Sequence, residues 1–256
     1  VQWQAPVKSA WGARRMCGSS RATGRRGPSG GVVRGGGRAI AHPTPCGVLL
    51  RLDVPDWVEH MAGQHYVIRL TAPDGYTAQR SYSVASPPSD PLCEFFVEQL
   101  ANGEVSSYLF EEVMVGDVVD VRGPIGGWFV WDGASPAIGI AGGTGVVPLI
   151  AMLRHAQALG RGELLRLAVS ARTMAELPYA DELTDAGAFI ALTRETRAGG
   201  RPAGRFSAAE IASYLVPQST CFVCGSASFA ESVSIQLVDA GVDADMIRVE
   251  RFGPSG

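Results

Sequence analysis

Between residues 46 and 130, apolar positions come in short runs with near two-residue alternation, broken by Pro, Gly and Asp clusters. GVLLRLDV, QHYVIRL, RSYSVAS, CEFFVEQL and DVVDVRG each read as a strand. Their spacing is that of a small antiparallel β-barrel or sandwich. One helical interruption, EVSSYLFEEV, follows Asn102-Gly103. After WDGASP (131–136) the pattern changes. Apolar runs of strand length now alternate with helical segments: AIGIAG then VPLIAMLRHAQALG, LLRLAVSA then YADELTDA, FIALTR then SAAEIASYL, CFVCG then FAESVSIQLVDAG, and finally IRVERF. Repeated β-α units predict a doubly wound parallel sheet. The chain is therefore expected to hold a β-barrel over residues 31–133 and an α/β domain over residues 134–256. In sheets of the second kind, ligands bind beyond the carboxyl ends of the strands, where the chain turns into a helix.

Composition narrows the class without naming a function. The 256 residues allow one large domain or two of ordinary size, and no apolar run is long enough to span a bilayer. No Asp or Glu precedes Asp53, whereas nine of the 22 Lys+Arg lie in residues 1–52; the remaining 204 residues carry 13 basic and 25 acidic groups. A basic leader on an acidic body suits a polyanion partner. Residues 1–30, however, show no helical period, no strand alternation and no apolar core of a secretory signal. They are expected to be disordered, or to lie upstream of the true start, for which Met16 is a candidate. Lys8 is the one lysine, so the arginine excess reads as a coding bias, and nucleic acid is not expected as a partner. Cys17, Cys46, Cys93, Cys221 and Cys224 are odd in number and scattered, which argues against a disulfide framework and for a reducing, cytoplasmic compartment. Cys221 and Cys224 sit three apart on an apolar strand and point to opposite faces; with no second pair, no metal site is expected.

RSYSVASPP (80–88) is a strand that presents a cation, a ring and hydroxyls with almost nothing aliphatic. It is either a solvated edge strand or a strand serving a ligand with a charged end and a flat ring. The turn inside GIAGGTGVVPLIAML (139–153) bears on that choice. Gly142, Gly143 and Gly145 let the backbone approach a pyrophosphate and offer N–H groups at a helix start, where the helix dipole favours an anion. Pro148 suits the first helical turn, where its missing N–H costs nothing. The spacing is not G-x-G-x-x-G, so this turn alone is weak evidence. Alongside it, Arg80 is suited to pair bidentately with a second pyrophosphate, Tyr82 to stack on a heterocycle and Ser83 to bond a ring nitrogen. Gly103-Glu104-Val105-Ser106 opens the barrel's helix, with Ser106 expected to cap it, and offers another anion cradle.

RSYS (80–83), GEVSSYL (103–109), GPIGGWF (123–129), GGTGVVP (142–148), CGSASF (224–229) and ERFG (250–253) occur in this order. Together they resemble the ferredoxin–NADP reductase family, especially its short bacterial stand-alone members, over about residues 46–254. The resemblance implies FAD and NADP(H) or NAD(H) as cofactors. It implies that Arg80 binds the flavin pyrophosphate, that Tyr82 stacks on the isoalloxazine beside Val84, and that Ser83 bonds the N5 region. Gly103, Val105 and Ser106 would hold the FAD phosphates, a cradle that favours FAD over FMN. Gly142, Gly143, Thr144, Gly145 and Pro148 would hold the nicotinamide nucleotide, with Cys224 and Gly225 beside its ring. Glu250 and Phe252 would lie near the flavin, Phe252 shielding the face the nicotinamide must reach. Tyr82, Ser83, Cys224, Glu250 and Phe252 are thus the catalytic candidates. Cys224 also fits a plain buried strand cysteine, and Phe252 plain packing.

NADP carries a 2′-phosphate that needs cations. Arg172 ends AVSAR, Arg194 ends ALTR and Arg205 follows in RPAGRF. The stretch TRETRAGGRPAGRF is similar to the 2′-phosphate site of bacterial NADPH-using members, which favours NADPH; otherwise these are ordinary solvated arginines. The implied activity moves hydride from NAD(P)H to FAD, then electrons to a separate acceptor such as a ferredoxin, flavodoxin or oxygenase component. The alternative is a non-catalytic or degenerate flavin-binding protein. Two departures bear on it. SGGVVRGGGRAIAHPTP, where the first barrel strand should fall, is glycine-rich and poorly β-forming, so that strand is expected to be weak or missing. The plant-type iron–sulfur pattern C-x4-C-x2-C does not occur, so the acceptor is expected to be a separate protein.

Overall fold

The computed structural model describes residues 32–55, 57–196 and 200–253. The expectations for residues 1–30, including Met16 and Cys17, lie outside them.

The first sheet comprises β1 (Val33–Thr44), β2 (Gly47–Asp53), β3 (His65–Thr71), β4 (Thr77–Ser83), β5 (Leu92–Glu98) and β6 (Val118–Ile125), in the order β4-β3-β6-β1-β2-β5. Every pairing is antiparallel. Alternation places Val48, Leu50 and Leu52 of β2 inward, with Leu50 opposite Phe95 and Val48 opposite Val97 of β5. Tyr66 and Ile68 of β3 and Val121 of β6 meet them. Each such side chain contributes about 1.5–3 kcal/mol by leaving water. A bridge between Val84 and Phe95 joins the outer strands and curls the sheet into a barrel. The helix α1 (Glu104–Glu111) packs against β4 and β5.

The expected defect in the first strand is not there. β1 runs for 12 residues and pairs with β6 through Val33–Gly36 and with β2 from Gly36 to Thr44. Of its glycines, Gly36 has open space where a side chain would be, and Gly37 sits nearest its neighbours. A Cβ on Gly37 would press on the Met114 carbonyl at 3.4 Å, and Gly37 exchanges backbone bonds with Gly116 and Asp117. Irregularities at Gly37/Ala39 and Ala41/Thr44 let the strand bend between its two partners. Pairing on both edges outweighs a weak intrinsic propensity.

The second sheet holds β7 (Ala137–Gly142), β8 (Leu165–Ala171), β9 (Phe189–Leu192), β10 (Thr220–Ser226) and β11 (Ile247–Phe252), parallel throughout, in the order β11-β10-β7-β8-β9. The crossovers contain α2 (Val147–Ala158), α3 (Ala180–Asp185), α4 (Ala208–Tyr214) and α5 (Ala227–Asp239). Both faces are covered. Ile138, Ile140 and Cys221 pack with Ile211 of α4 and Val233 of α5. Leu167, Val169 and Cys224 pack on the other face with Leu149, Ile150 and Met152 of α2. That second cluster continues into the barrel through Ala85, Phe96 and Phe129, so one core crosses the domain junction. Strand order reverses between β7 and β10, and the turns leaving those strands face each other there. No helix among the described residues is long and apolar enough to cross a membrane.

Candidate functional site

β4 is an edge strand along its length, and its end carries the residues expected to face a flavin. Arg80 is exposed, and among the described residues its guanidinium makes one local hydrogen bond, Nη1 to the Gln79 carbonyl (2.7 Å). Tyr82 is half-buried opposite Tyr66 of β3. Burial raises its phenol above the ordinary value, and the Arg80 charge works against that rise. Ser83 is buried at 3 % exposure, and its Oγ has no partner among the described residues. A buried hydroxyl left unpaired costs about 1–3 kcal/mol, which makes this atom a candidate to serve a ligand. Val84 is absorbed differently: its side chain lies in the barrel core and its N–H donates to the Gln64 carbonyl (3.0 Å).

Ser106 does not cap α1. The helix starts at Glu104, with Gly103 in the cap position and no side-chain cap bond. Ser106 is therefore already inside the first turn. Its Oγ accepts from the Leu100 N–H (3.2 Å) and donates to the Gly103 carbonyl (3.3 Å), tightening the turn before the helix. No side-chain cap bond is made at the helix start, but Glu104 sets a carboxylate in the first turn, which works against an anion there. Val105 and Ser106 are buried.

The residues expected to hold the nucleotide lie on two turns pressed together. After β7, Gly143–Val146 form a single tight 3₁₀ turn that leads into α2, with Pro148 in its first turn. Gly143 adopts φ +56°, a left-handed conformation that favours glycine, with open space where a side chain would be. Gly145 has the opposite surroundings. A Cβ there would lie 2.5 Å from the Cys224 carbonyl carbon and 2.8 Å from the Gly225 nitrogen. The glycine turn and the Cys224-Gly225 turn are thus in backbone contact. Cys224 is fully buried, and burial, then the nearby Glu250, push its thiol well above the ordinary value.

β11 carries the site back to the barrel. Cys224 pairs with Glu250 and Ser226 with Phe252 across β10 and β11. Glu250 Oε1 lies 3.7 Å from His65 Nδ1, and His65 is the cross-strand partner of Ser83. Glu250 Oε2 is buried with no partner among the described residues. Burial pushes the Glu250 carboxyl up to about 7 and His65 down from its ordinary value. Phe252 is partly buried against the core that crosses the junction.

The three arginines gather at the carboxyl ends of β8 and β9. All three are exposed. The Arg194 N–H donates to the Arg172 carbonyl (2.9 Å), and Gly204 N–H to the Leu192 carbonyl (2.8 Å), which brings Arg205 back beside β9. Arg201 holds that loop, donating to Glu210 and to the Gly204 carbonyl (2.9 Å). Arg172 pairs with Glu176 and lies 3.8 Å from Glu98 Oε1 of β5; Thr144 donates to the other Glu98 oxygen (3.3 Å).

Sequence reasoning missed His65, Glu98, and the group formed by Arg154, Glu94 and Glu182. Arg154 had a visible signal: it is an arginine on a helix that is otherwise largely apolar. His65 and the two barrel glutamates had none, since their contacts with the other domain leave no local pattern; Glu94 also lies 3.7 Å from Arg51 of β2.

The residues present fit FAD and a pyridine nucleotide: an unpaired Ser83 hydroxyl, an uncapped helix start at Gly103, and a glycine turn held against Cys224-Gly225. Comparison with known proteins agrees. Residues 47–130 match the oxidoreductase FAD-binding domain family. The reductase component of propane 2-monooxygenase from Gordonia sp. strain TY-5 is 33 % identical over 153 residues, 58 % of this chain and 43 % of that protein. The ferredoxin–NAD(P)(+) reductase component of the naphthalene 1,2-dioxygenase/salicylate 5-hydroxylase systems of Ralstonia is 27 % identical over 235 residues, 88 % of this chain and 70 % of that protein. The chain spans less than half the length of the propane 2-monooxygenase reductase of strain TY-5. The flavohem-like FAD/NAD-binding domain of nitric oxide dioxygenase from Vibrio cholerae superposes with a TM-score of 0.77 at 24 % identity, covering 87 % of this chain and 99 % of that one. Over residues 47–130 the chain is thus similar to the oxidoreductase FAD-binding domain family, it resembles the reductase components of oxygenase systems, and it shares the fold of a flavohem-like FAD/NAD-binding domain.

Proposed function

We propose that this chain is an FAD-dependent NAD(P)H oxidoreductase, with residues 31–133 holding the flavin and residues 134–256 the nucleotide. One observation carries the reading. The unpaired Ser83 hydroxyl, the His65–Glu250 contact and the Cys224-Gly225 turn converge where the barrel meets the carboxyl ends of β10 and β11. Two ligand half-sites thus share one junction, which is what transfer between two rings needs.

FAD, when bound, accepts hydride at N5 and releases electrons one at a time. The chain's own residues do the positioning. Arg80 and the backbone at Gly103–Ser106 neutralise and orient phosphate, Tyr82 packs a ring, and Ser83 fixes its edge. Gly142–Gly145 and Pro148 hold the nucleotide phosphates, Cys224-Gly225 and Phe252 bound its ring, and Glu250 offers a carboxyl that exchanges a proton near neutral pH. NADPH is the favoured donor, because Arg172, Arg194 and Arg205 gather at the strand ends where the ribose is read. The acceptor is a separate protein, as the names of the relatives as reductase components support. A degenerate flavin binder loses its motivation, since β1 is formed and paired on both sides. The test is anaerobic stopped-flow absorbance in the flavin's visible band with NADPH and NADH in turn. Bleaching by NADPH faster than by NADH is expected; a yellow protein that neither bleaches overturns the reading.

A further inference from the structure

α2 carries a charge where its neighbours are apolar. Arg154 follows Leu149, Ile150, Met152 and Leu153, all buried, on the helix that opens with the glycine turn. Its guanidinium is shared between the two domains. Nε and Nη2 donate to the two oxygens of Glu182 on α3 (2.8 and 2.9 Å), within the nucleotide domain. Nη1 donates across the junction to Glu94 Oε1 on β5 (2.7 Å) and to the Ala85 carbonyl (3.1 Å). The Tyr179 hydroxyl donates to the same Glu94 oxygen (3.2 Å), and its ring lies 5.1 Å from the guanidinium. Glu94 has 10 % of its side chain exposed and Arg154 has 23 %.

Stability alone explains this group poorly. A buried ion pair replaced by apolar residues of similar volume is often neutral or better. Directional bonds do what apolar contact does not: they fix distance and angle. The far end of the group is the strand of Ser83. Ala85 lies two residues beyond it, and the Ala85 N–H donates to the Glu94 carbonyl (2.8 Å) while the Glu94 N–H donates to Ser86 Oγ (3.0 Å). One guanidinium therefore links the helix that starts at the glycine turn with the strand that ends at Ser83.

We propose that Arg154, through Glu94 and the Ala85 carbonyl, is a positioning residue that sets the glycine turn against the Ser83 strand and so the approach of the two bound rings. The proposal rests on the oxidoreductase reading above. Transfer between rings depends steeply on approach, and a misplacement of about 1 Å can cost about 100-fold in rate.

Glu94→Met and Glu182→Met test it, because each leaves Arg154 one carboxylate. The first removes the carboxylate that bridges the domains, together with its 3.7 Å contact to Arg51 of β2, and leaves the bond to the Ala85 carbonyl; the second removes a link within one domain. On FAD-loaded protein, the flavin reduction rate at saturating NADPH and at saturating NADH, its isotope effect with C4-deuterated nucleotide, and nucleotide affinity are measured. Amide hydrogen exchange at Val84 to Ser86 is followed without nucleotide. Glu94→Met should slow reduction about 10-fold or more at unchanged affinity and full flavin content, and speed exchange at Ala85. Glu182→Met, which leaves the bonds across the junction in place, should slow reduction by a smaller factor than Glu94→Met. If Glu94→Met does not fold, Tyr179→Phe, which removes one bond to the same carboxylate, should slow the same step by a smaller factor. Wild-type reduction rates in every folded Glu94 or Tyr179 variant overturn the proposal, as does equal slowing in the Glu94 and Glu182 variants. A wild-type flavin that neither nucleotide bleaches overturns the oxidoreductase reading and the proposal with it.

Discussion

Replacing Ser83 with alanine should move the flavin-free and flavin-bound proteins in opposite directions. In the structure, Ser83 Oγ is buried and has no partner among the described residues. A hydroxyl in that state costs about 1–3 kcal/mol, which the alanine variant does not carry. The flavin-stripped variant should therefore gain stability of that order, a rise of about 2–4 °C in Tm per kcal/mol for a chain of this size. Binding of FAD gives the wild-type hydroxyl a partner, and the variant forgoes that relief. Its FAD affinity should fall by the same about 1–3 kcal/mol, or about 5- to 150-fold. Thermal unfolding of stripped protein by circular dichroism gives the first number, and fluorescence titration with FAD gives the second. A serine that merely packs would lower stability with and without flavin. A stripped Ser83→Ala protein that melts at or below the wild-type temperature would therefore falsify the ligand-facing assignment.

Two further outcomes follow from the nucleotide turn and from β11. Gly145→Ala sets a Cβ against the backbone of Cys224 and Gly225, which cannot rotate aside, so the turn must shift. With overpacking at about 1–3 kcal/mol, nucleotide affinity by calorimetry should fall about 5- to 150-fold while flavin content stays full; loss of flavin instead would contradict the placement. The folded Glu250 carboxyl, held up to about 7, binds its proton more tightly than in the unfolded chain. Stability thus declines as pH rises from about 4.5 to about 7, and the penalty persists above that. Glu250→Gln removes this dependence, so its Tm advantage over wild type should open between about pH 5 and about pH 8; an equal difference at both ends rejects the assigned shift.

Most elements were legible because their signals are local. Alternation at Val48, Leu50 and Leu52 marked β2, and the apolar run AIGIAG followed by Pro148 marked the β7–α2 unit. β1 was not legible, since its glycines carry no strand signal and its order comes from β2 and β6 lying on either side. Ser106 misled for a related reason. A serine near a helix start is a cap only when it is the first residue outside the helix, and here Gly103 holds that place. The motif residues found from sequence stand out locally: a left-handed glycine at 143, a glycine at 145 pressed on the Cys224-Gly225 backbone, a buried hydroxyl at Ser83.

The residues that escaped share one property: their partners lie far along the chain. Arg154 meets Glu94 across 60 residues and the Ala85 carbonyl across 69, and Thr144 meets Glu98 across 46. A glutamate on an alternating strand reads as a solvated face, and nothing nearby distinguishes Glu94 or Glu98 from any other. Yet Glu98 reaches both the glycine turn, through Thr144, and Arg172, one of the cations expected at the 2′-phosphate. A phosphate arriving at Arg172 meets a guanidinium that already faces the carboxylates of Glu176 and Glu98. Nucleotide binding and the barrel's hold on the second domain therefore draw on the same charges. The local motifs point to what would bind, whereas the long-range carboxylates of β5 connect the barrel to Arg154, Thr144 and Arg172 of the second domain.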